Sequence, residues 1–222
     1  MGSKAMIPKP EFTLRMYLFD VTSYFICKRI IDIILSVAAL LLLWPFLLVV
    51  ALFVRQQMGS PVLFSQQRPG LHGKLFRLYK FRSMRVPQKN ELMLASDGLR
   101  LSAFGRFLRK SSIDELPEIW NILRGEMSFV GPRPLLPQYL GRYNAWQALR
   151  HQVRPGLTGW AQVHGRNAVS WPERFELDVW YVEHASFWLD LQIIWKTIAL
   201  VFNGKGVDAV GQATMDEFMG NE

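Results

Sequence analysis

Only one cysteine, Cys27, occurs among the 222 residues, so no intrachain disulfide can form and no thiolate metal site is available. The four histidines, His72, His151, His164 and His184, have no ligand spacing either. The chain also lacks a Walker phosphate loop, a Gly-x-Gly-x-x-Gly turn and a Gly-x-Ser-x-Gly elbow. These absences remove zinc enzymes, P-loop nucleotidases, dinucleotide oxidoreductases and serine hydrolases from consideration. Acid is scarce as well: no Asp or Glu lies between Arg55 and Asn90, while Arg68, Lys74, Arg77, Lys80, Arg82, Arg85 and Lys89 all do. With a net charge of +8, the chain is built to face anions.

What is abundant is apolar residue, half of the total, and it is concentrated. Ile33–Val54 runs 22 residues without a charge, enough at about 1.5 Å per residue to cross a hydrocarbon core of about 30 Å. It is too long for a signal peptide, and no small-residue cleavage site follows it. Length alone reads as a spanning helix. Two features favour a re-entrant hairpin instead: Pro45 interrupts the run, and both flanks are basic, with Arg15, Lys28 and Arg29 before it and the Arg55–Lys89 series after it. A helix that enters, breaks at Pro45 and leaves on the same side puts both flanks in the cytosol. Ser36 is a hydroxyl that could satisfy a carbonyl freed at the bend. Asp32, one turn after Lys28, reads as half of an interfacial ion pair.

The expected fold is α+β and mostly helical. Residues 1–60 form an N-terminal segment with the membrane anchor, and residues 61–222 form a cytosolic catalytic domain. Val62–Gln67 and Lys74–Met84 are β-rich runs around a Gly- and Pro-containing turn, a small β-hairpin with Leu71, His72 and Gly73 at its tip. Leu101–Lys110 is an amphipathic helix with Leu101, Phe104, Phe107 and Leu108 on one face, and Glu118–Leu123 is a helix ended by Gly125. A helix is expected around Pro137–Arg150, a short extended piece over Ala161–Asn167, and helices over Trp171–Val182 and Phe187–Phe202. The last carries Trp188 and Trp195 and reads equally as a core helix or an interfacial amphipathic one.

The chemistry centres on Asp114 and Glu115. Pro117 confines the start of the next helix, so either Asp114 is its N-cap or Ser112-x-x-Glu115 forms a capping box. Acids at such positions ordinarily cap, contributing about 0.5–2 kcal/mol. This pair is accompanied by Arg109 and Lys110 upstream and by Arg133, framed by Pro132 and Pro134, downstream. Guanidinium groups suit phosphate, and a carboxylate needs no base to act as a nucleophile at neutral pH. An anion attacking a diphosphate requires charge neutralisation, which points to Mg²⁺ shared between Asp114, Glu115 and phosphate oxygens. Few aromatics interleave the basic cluster beyond Phe76, Tyr79 and Phe81, so nucleic acid is not the expected partner.

A series of motifs completes the reading: Lys28-Arg29-x-x-Asp32, Tyr79-Lys80-Phe81-Arg82-Ser83-Met84, Gly105-Arg106-Phe107-Leu108-Arg109-Lys110 and Ser112-Ile113-Asp114-Glu115-Leu116-Pro117. Met127-Ser128-Phe129-Val130-Gly131-Pro132-Arg133-Pro134, Pro155-Gly156-Leu157-Thr158-Gly159, Gln162-Val163-His164-Gly165-Arg166-Asn167 and Glu176-Leu177-Asp178-Val179-Trp180-Tyr181-Val182 follow. In this order they resemble the bacterial sugar transferase family, the monotopic polyprenyl-phosphate phosphoglycosyl transferases, over nearly the whole chain. The resemblance implies transfer of a phosphosugar from a UDP-sugar to undecaprenyl phosphate with release of UMP, at the cytoplasmic face of the bacterial inner membrane. It implies Asp114 as the residue that carries a covalent phosphosugar, and Glu115 as its support at the Mg²⁺ site or in proton handling. Arg109, Lys110, Arg133, Gln162, Arg166 and Asn167 fall in its phosphate- and substrate-binding motifs. The family's re-entrant helix breaks at a Ser-Pro pair, where this chain has Trp44-Pro45. The length resembles the short stand-alone members, and Glu176–His184 with Ala213-Thr214-Met215 resembles those using N-acetylated amino sugars. A single-displacement transferase with Asp114 as metal ligand only, and a non-catalytic basic membrane module, are the alternatives. Homo-oligomerisation is left open.

Overall fold

The computed structural model describes residues 10–85, 101–165, 169–203 and 217–220, with backbone only for 10–22 and 202–203. One helix dominates: α1, Pro10–Met58, with Pro45 inside it. The expected break at Pro45 is not a break in the helix. Proline deletes one hydrogen bond, and helical backbone continues on both sides of it. Ser23–Met58 is long and apolar enough to cross a membrane.

Both ends of that apolar stretch pack on the same globular body. At its start, Arg29 donates to the carbonyls of Ile122 (2.6 Å) and Leu123 (2.7 Å), capping a helix end. Asp32 is buried and accepts from Ser128 Oγ and the Phe129 amide, each at 3.2 Å. Lys28 pairs with Asp190, not with Asp32 as the one-turn spacing suggested; Asp32 is engaged instead by Ser128 and Phe129. At the far end Val50 and Val54 are buried against Phe81 and Leu108. Between these ends most of the helix is bare, with Leu41, Leu42 and Trp44 all exposed. Ser36 Oγ is buried with no hydrogen-bond partner, so it does not satisfy a freed carbonyl.

The hairpin follows as β1 (Leu63–Pro69) and β2 (Leu75–Phe81), antiparallel, with Gln66 opposite Leu78 and Phe64 opposite Lys80. Its tip, Leu71–Gly73, is a single 3-10 turn. Phe76 and Leu78 share its inward face, which packs on Ile122 and Met127. Helix α2 (Ala103–Lys110) is capped by Ser102, whose hydroxyl accepts from the Gly105 amide. Leu108 is buried from that helix, but Phe107, expected on the same face, is more than half exposed. Helix α3 (Glu118–Arg124) ends at Gly125, whose φ of +82° is left-handed; a side chain there would also press on the Arg29 guanidinium.

Beyond α3 lies a second, two-stranded sheet that the sequence reading missed. Strands β3 (Ser128–Val130) and β4 (Gly156–Thr158) pair in parallel through Ser128–Gly156 and Val130–Thr158. The backbones approach so closely that a Cβ on Gly156 would lie 2.1 Å from the Gly131 nitrogen. Three-residue strands separated by prolines carry too little alternation to be legible.

Two other expectations change. The region expected as a helix over 137–150 is two 3-10 segments, Pro137–Arg142 and Gln147–Gln152, parted by a turn at Asn144 whose side chain and that of Gln147 bond each other's backbone amides. The extended piece expected over 161–167 is instead helix α4, Trp160–His164. Helices α5 (Trp171–His184) and α6 (Phe187–Asn203) complete the body. Ile193 and Leu189 of α6 join Val130, Val153 and Tyr181 in the core, whereas Trp188 and Trp195 are bare. One face of the helix is therefore core, as one of the two readings expected, and the other is exposed and apolar.

Candidate active site

Asp114 and Glu115 occupy a 3-10 turn, Ile113–Glu115, that precedes α3. Neither capping expectation is met. Ser112 is left-handed at φ 56° and makes no side-chain cap, and α3 begins only at Glu118, after Pro117. Proline supplies no amide, so the acids are not drawn onto the helix end and remain available to other partners.

Those partners come from three directions. Lys80 of β2 reaches Glu115 Oε1 at 2.6 Å, and Arg133 of the Gly131–Pro134 loop reaches the same oxygen at 2.7 Å. Lys80 also lies 3.0 Å from Glu118 Oε1, without the alignment needed to donate to it. Arg109, in the last turn of α2, donates Nε to Ser83 Oγ at 2.9 Å and lends positive potential to Asp114. Arg133 keeps 40% of its side chain open, so it can meet a ligand while holding Glu115.

The two adjacent acids have opposite electrostatics. Burial would raise the Glu115 carboxyl, but Arg133 and Lys80 outweigh it and hold the group well below the usual carboxylate range. Asp114 has no hydrogen-bond partner among the described residues. Burial first, and the Glu115 charge second, push it up to about 6 against the pull of Lys80, Arg109 and Arg133. Glu118, almost wholly buried, is raised by burial and by Glu115. Glu115 is thus a fixed anion clasping two cations, and Asp114 is a less stabilised, unencumbered carboxylate that is still mostly ionised at pH 7.

Behind the cluster the support is rigid. Arg150 Nη2 donates to the Arg133 carbonyl and to Asp178 Oδ2, each at 2.7 Å. Gly156 donates its amide to the Pro132 carbonyl and Gly131 donates to that of Thr158, so the loop carrying Arg133 is pinned on several sides. Asn121 accepts from the Tyr79 amide and donates to the Arg77 carbonyl, which fixes β2 on either side of Leu78, just before Lys80, through α3.

The structure therefore brings together Asp114, Glu115, Arg109 and Arg133. Lys110 is exposed and makes no ion pair with the dyad among the described residues. Gln162 sits on α4, donating to the Leu157 carbonyl at 3.2 Å with its Oε1 buried and unpartnered. Arg166, Asn167 and the Ala213–Met215 stretch lie outside the described residues. Lys80 and Glu118 were not singled out from the sequence. Period two along β2 puts Lys80 on the face of Phe76 and Leu78, and Glu118 lies one helical turn from the dyad, so both signals were present.

Among the described residues no three His, Cys, Asp or Glu side chains gather as a metal cage. Mg²⁺ does not need one, since it commonly takes one or two carboxylates with substrate phosphates and water. The unpartnered Asp114 carboxylate and Glu115 Oε2, which accepts no bond among the described residues, fit that mode. Arg68 Nε, buried without an acceptor and close enough to Arg133 to feel its charge, is a further unused donor.

The model of the bacterial sugar transferase family matches residues 23–204, which include every element around this site. The chain belongs to that family. It is 48% identical over 196 residues to the uncharacterized sugar transferase EpsL of Bacillus subtilis (strain 168), covering 88% of this chain and 97% of that one. It is 41% identical to a UDP-glucose:undecaprenyl-phosphate glucose-1-phosphate transferase of Xanthomonas campestris pv. campestris, over 88% of this chain and 43% of the relative. A third relative, 38% identical over 82% of this chain and 45% of its own length, is a UDP-N-acetylgalactosamine-undecaprenyl-phosphate N-acetylgalactosaminephosphotransferase of Aeromonas hydrophila. The chain thus spans nearly all of the first and under half of the other two.

Proposed function

We propose that this protein transfers a sugar 1-phosphate from a UDP-sugar to undecaprenyl phosphate in two steps, with Asp114 as nucleophile. In the first step an Asp114 carboxylate oxygen attacks the sugar-bearing phosphorus, and the bond to the bridging oxygen breaks, releasing UMP. In the second a phosphate oxygen of undecaprenyl phosphate attacks the same phosphorus. The aspartyl bond breaks, giving the lipid-linked diphosphosugar and the free carboxylate. The observation that carries this reading is the split within the dyad: Glu115 is tied to Lys80 and Arg133, whereas Asp114 is bonded to nothing among the described residues. Arg133 and Arg109 would bind donor phosphate oxygens, and Mg²⁺ held by Asp114 and Glu115 would supply neutralisation of the diphosphate charge.

We further propose that the reaction takes place at the cytoplasmic face of the inner membrane. Residues 28 and 54 would stand about 39 Å apart on a straight helix. Both ends of that stretch contact the same polar body while most of the middle is bare and apolar, which favours a re-entrant course with both flanks on one side. The exposed tryptophans of α6 suit the headgroup layer of that same surface. For the sugar, Glu176–His184 favours an N-acetylated amino sugar. The Aeromonas relative's name matches that class and the Xanthomonas relative's does not.

The test is UMP release from a panel of UDP-sugars with undecaprenyl phosphate and Mg²⁺. Turnover on an N-acetylated donor is expected; no UMP from any donor would overturn the reading.

A further inference from the structure

Residues 217–220 lie beside the body's most aromatic cluster. Phe218 is 5% exposed and is enclosed by Phe175 at 5.0 Å, Trp171 at 5.5 Å, Tyr139 at 5.8 Å and Tyr143 at 6.0 Å between ring centroids. The pairs with Phe175 and Tyr139 are edge-on, the arrangement aromatic quadrupoles favour. The polar groups next to the cage match the same segment. Gln138 Nε2 and Arg142 Nη1 both donate to Glu217 Oε1, at 2.6 and 2.8 Å, and Arg142 donates again to the Phe218 carbonyl. An aromatic socket with an adjacent amide and guanidinium is a fitted receptor for an acid followed by an aromatic residue.

The socket's walls also carry the active-site loop. Leu135, two residues after Arg133, packs in the same cluster as Tyr139, Phe175 and Phe218. Tyr139 belongs to the 3-10 segment that follows the loop, and Phe175 to α5, which also supplies the Asp178 that anchors Arg150 under the Arg133 carbonyl. Removing Phe218 would open a hole between those two supports, and Leu135 would be free to move into it, taking the loop with it.

We infer that Glu217–Phe218 is a peptide ligand bound in cis, a strap that completes the loop carrying Arg133 and so sets affinity for the donor's diphosphate. Phe218 is here a positioning residue, since it acts through Leu135 and touches no substrate. The consequence for the reaction rests on the transfer reading above; the binding itself does not.

The experiment uses the full chain in lipid nanodiscs with residues 217–222 deleted, and a fluorescent peptide of residues 216–222. The peptide should bind the deleted protein saturably, and a peptide with Phe218→Ala should not. The deletion should raise the donor KM about tenfold with a smaller change in kcat, and saturating peptide should bring KM back. In the undeleted chain, Phe218→Ala should raise KM while Phe218→Trp should largely preserve it, at matched melting temperature. Absence of peptide binding by a deleted protein with unchanged circular dichroism would overturn the strap, as would an unaltered donor KM in Phe218→Ala. If no UDP-sugar yields UMP with the intact chain, the transfer reading fails and peptide binding alone decides the strap.

Discussion

Two buried acid–base clusters lie back to back in this protein and are built differently. In one, Arg150 and Asp178 are 1% and 2% exposed and face each other through two hydrogen bonds, and Arg150 spends a further donor on the Arg133 carbonyl. In the other, Glu115 and Glu118 lie against Lys80 and Glu115 alone takes Arg133, while Asp114 beside them has no bond among the described residues, one oxygen of Glu118 is unaligned and Arg133 keeps part of its side chain open to solvent. A closed, satisfied pair fixes geometry. An open, under-satisfied one keeps groups available for a ligand, at a cost in stability. Adjacent positions in sequence, Asp114 and Glu115, fall on opposite sides of that division.

The comparison is sharpest when each cluster is cut. Asp114→Asn should lower UMP release about a thousandfold or more while the melting temperature holds or rises, because an uncompensated buried charge has been removed. A large loss of stability would mean that Asp114 is structural after all. Arg150→Met should do the reverse, costing about 3–5 kcal/mol in denaturant unfolding by stranding Asp178, and Arg150→Met with Asp178→Leu should recover much of that. Glu115→Gln should raise the donor KM about ten- to a hundredfold with modest loss of stability, since Lys80 and Arg133 lose their common anchor.

The pH dependence separates the clusters more gently. Asp114, raised from 3.8 to about 6, must be ionised to attack, so kcat/KM should climb with one-proton slope, reach half its plateau near pH 6 and flatten above it. The same shift has the opposite sign for stability. The native state binds this proton more tightly than the unfolded chain, so the contribution is fully present below about pH 4 and is lost as pH rises through about 6. Asp114→Asn should remove that segment of the stability profile. The smallest effect is expected on an exposed face outside both clusters: Trp188→Ser with Trp195→Ser should weaken retention on vesicles and leave activity in detergent within about twofold.

Much of this was legible in sequence where a signal is local. The hairpin is announced by β-rich runs around Pro69-Gly70, α3 by its apolar spacing and Gly125, and the dyad by its basic company. What stayed hidden depends on chain crossings. Strands β3 and β4 are three residues each and exist because Gly131 and Gly156 let two backbones meet. Lys80 carried a period-two signal, but only the packing of β2 on α3 turns that face towards Glu115. Pro117 was read as a helix constraint, yet its effect was to leave the dyad on a separate turn. Pro45 was read as the break of a re-entrant helix, and the helical backbone runs on through it from Pro10 to Met58.

The most direct test is to mix the protein with its UDP-sugar and Mg²⁺ in the absence of undecaprenyl phosphate, quench, and measure UMP together with the mass of the peptide containing residue 114. The two-step account predicts close to one UMP per active site and a phosphosugar on Asp114, lost when undecaprenyl phosphate is added. Release of UMP only when the acceptor is present, with residue 114 unmodified throughout, would contradict it and leave a direct displacement in its place.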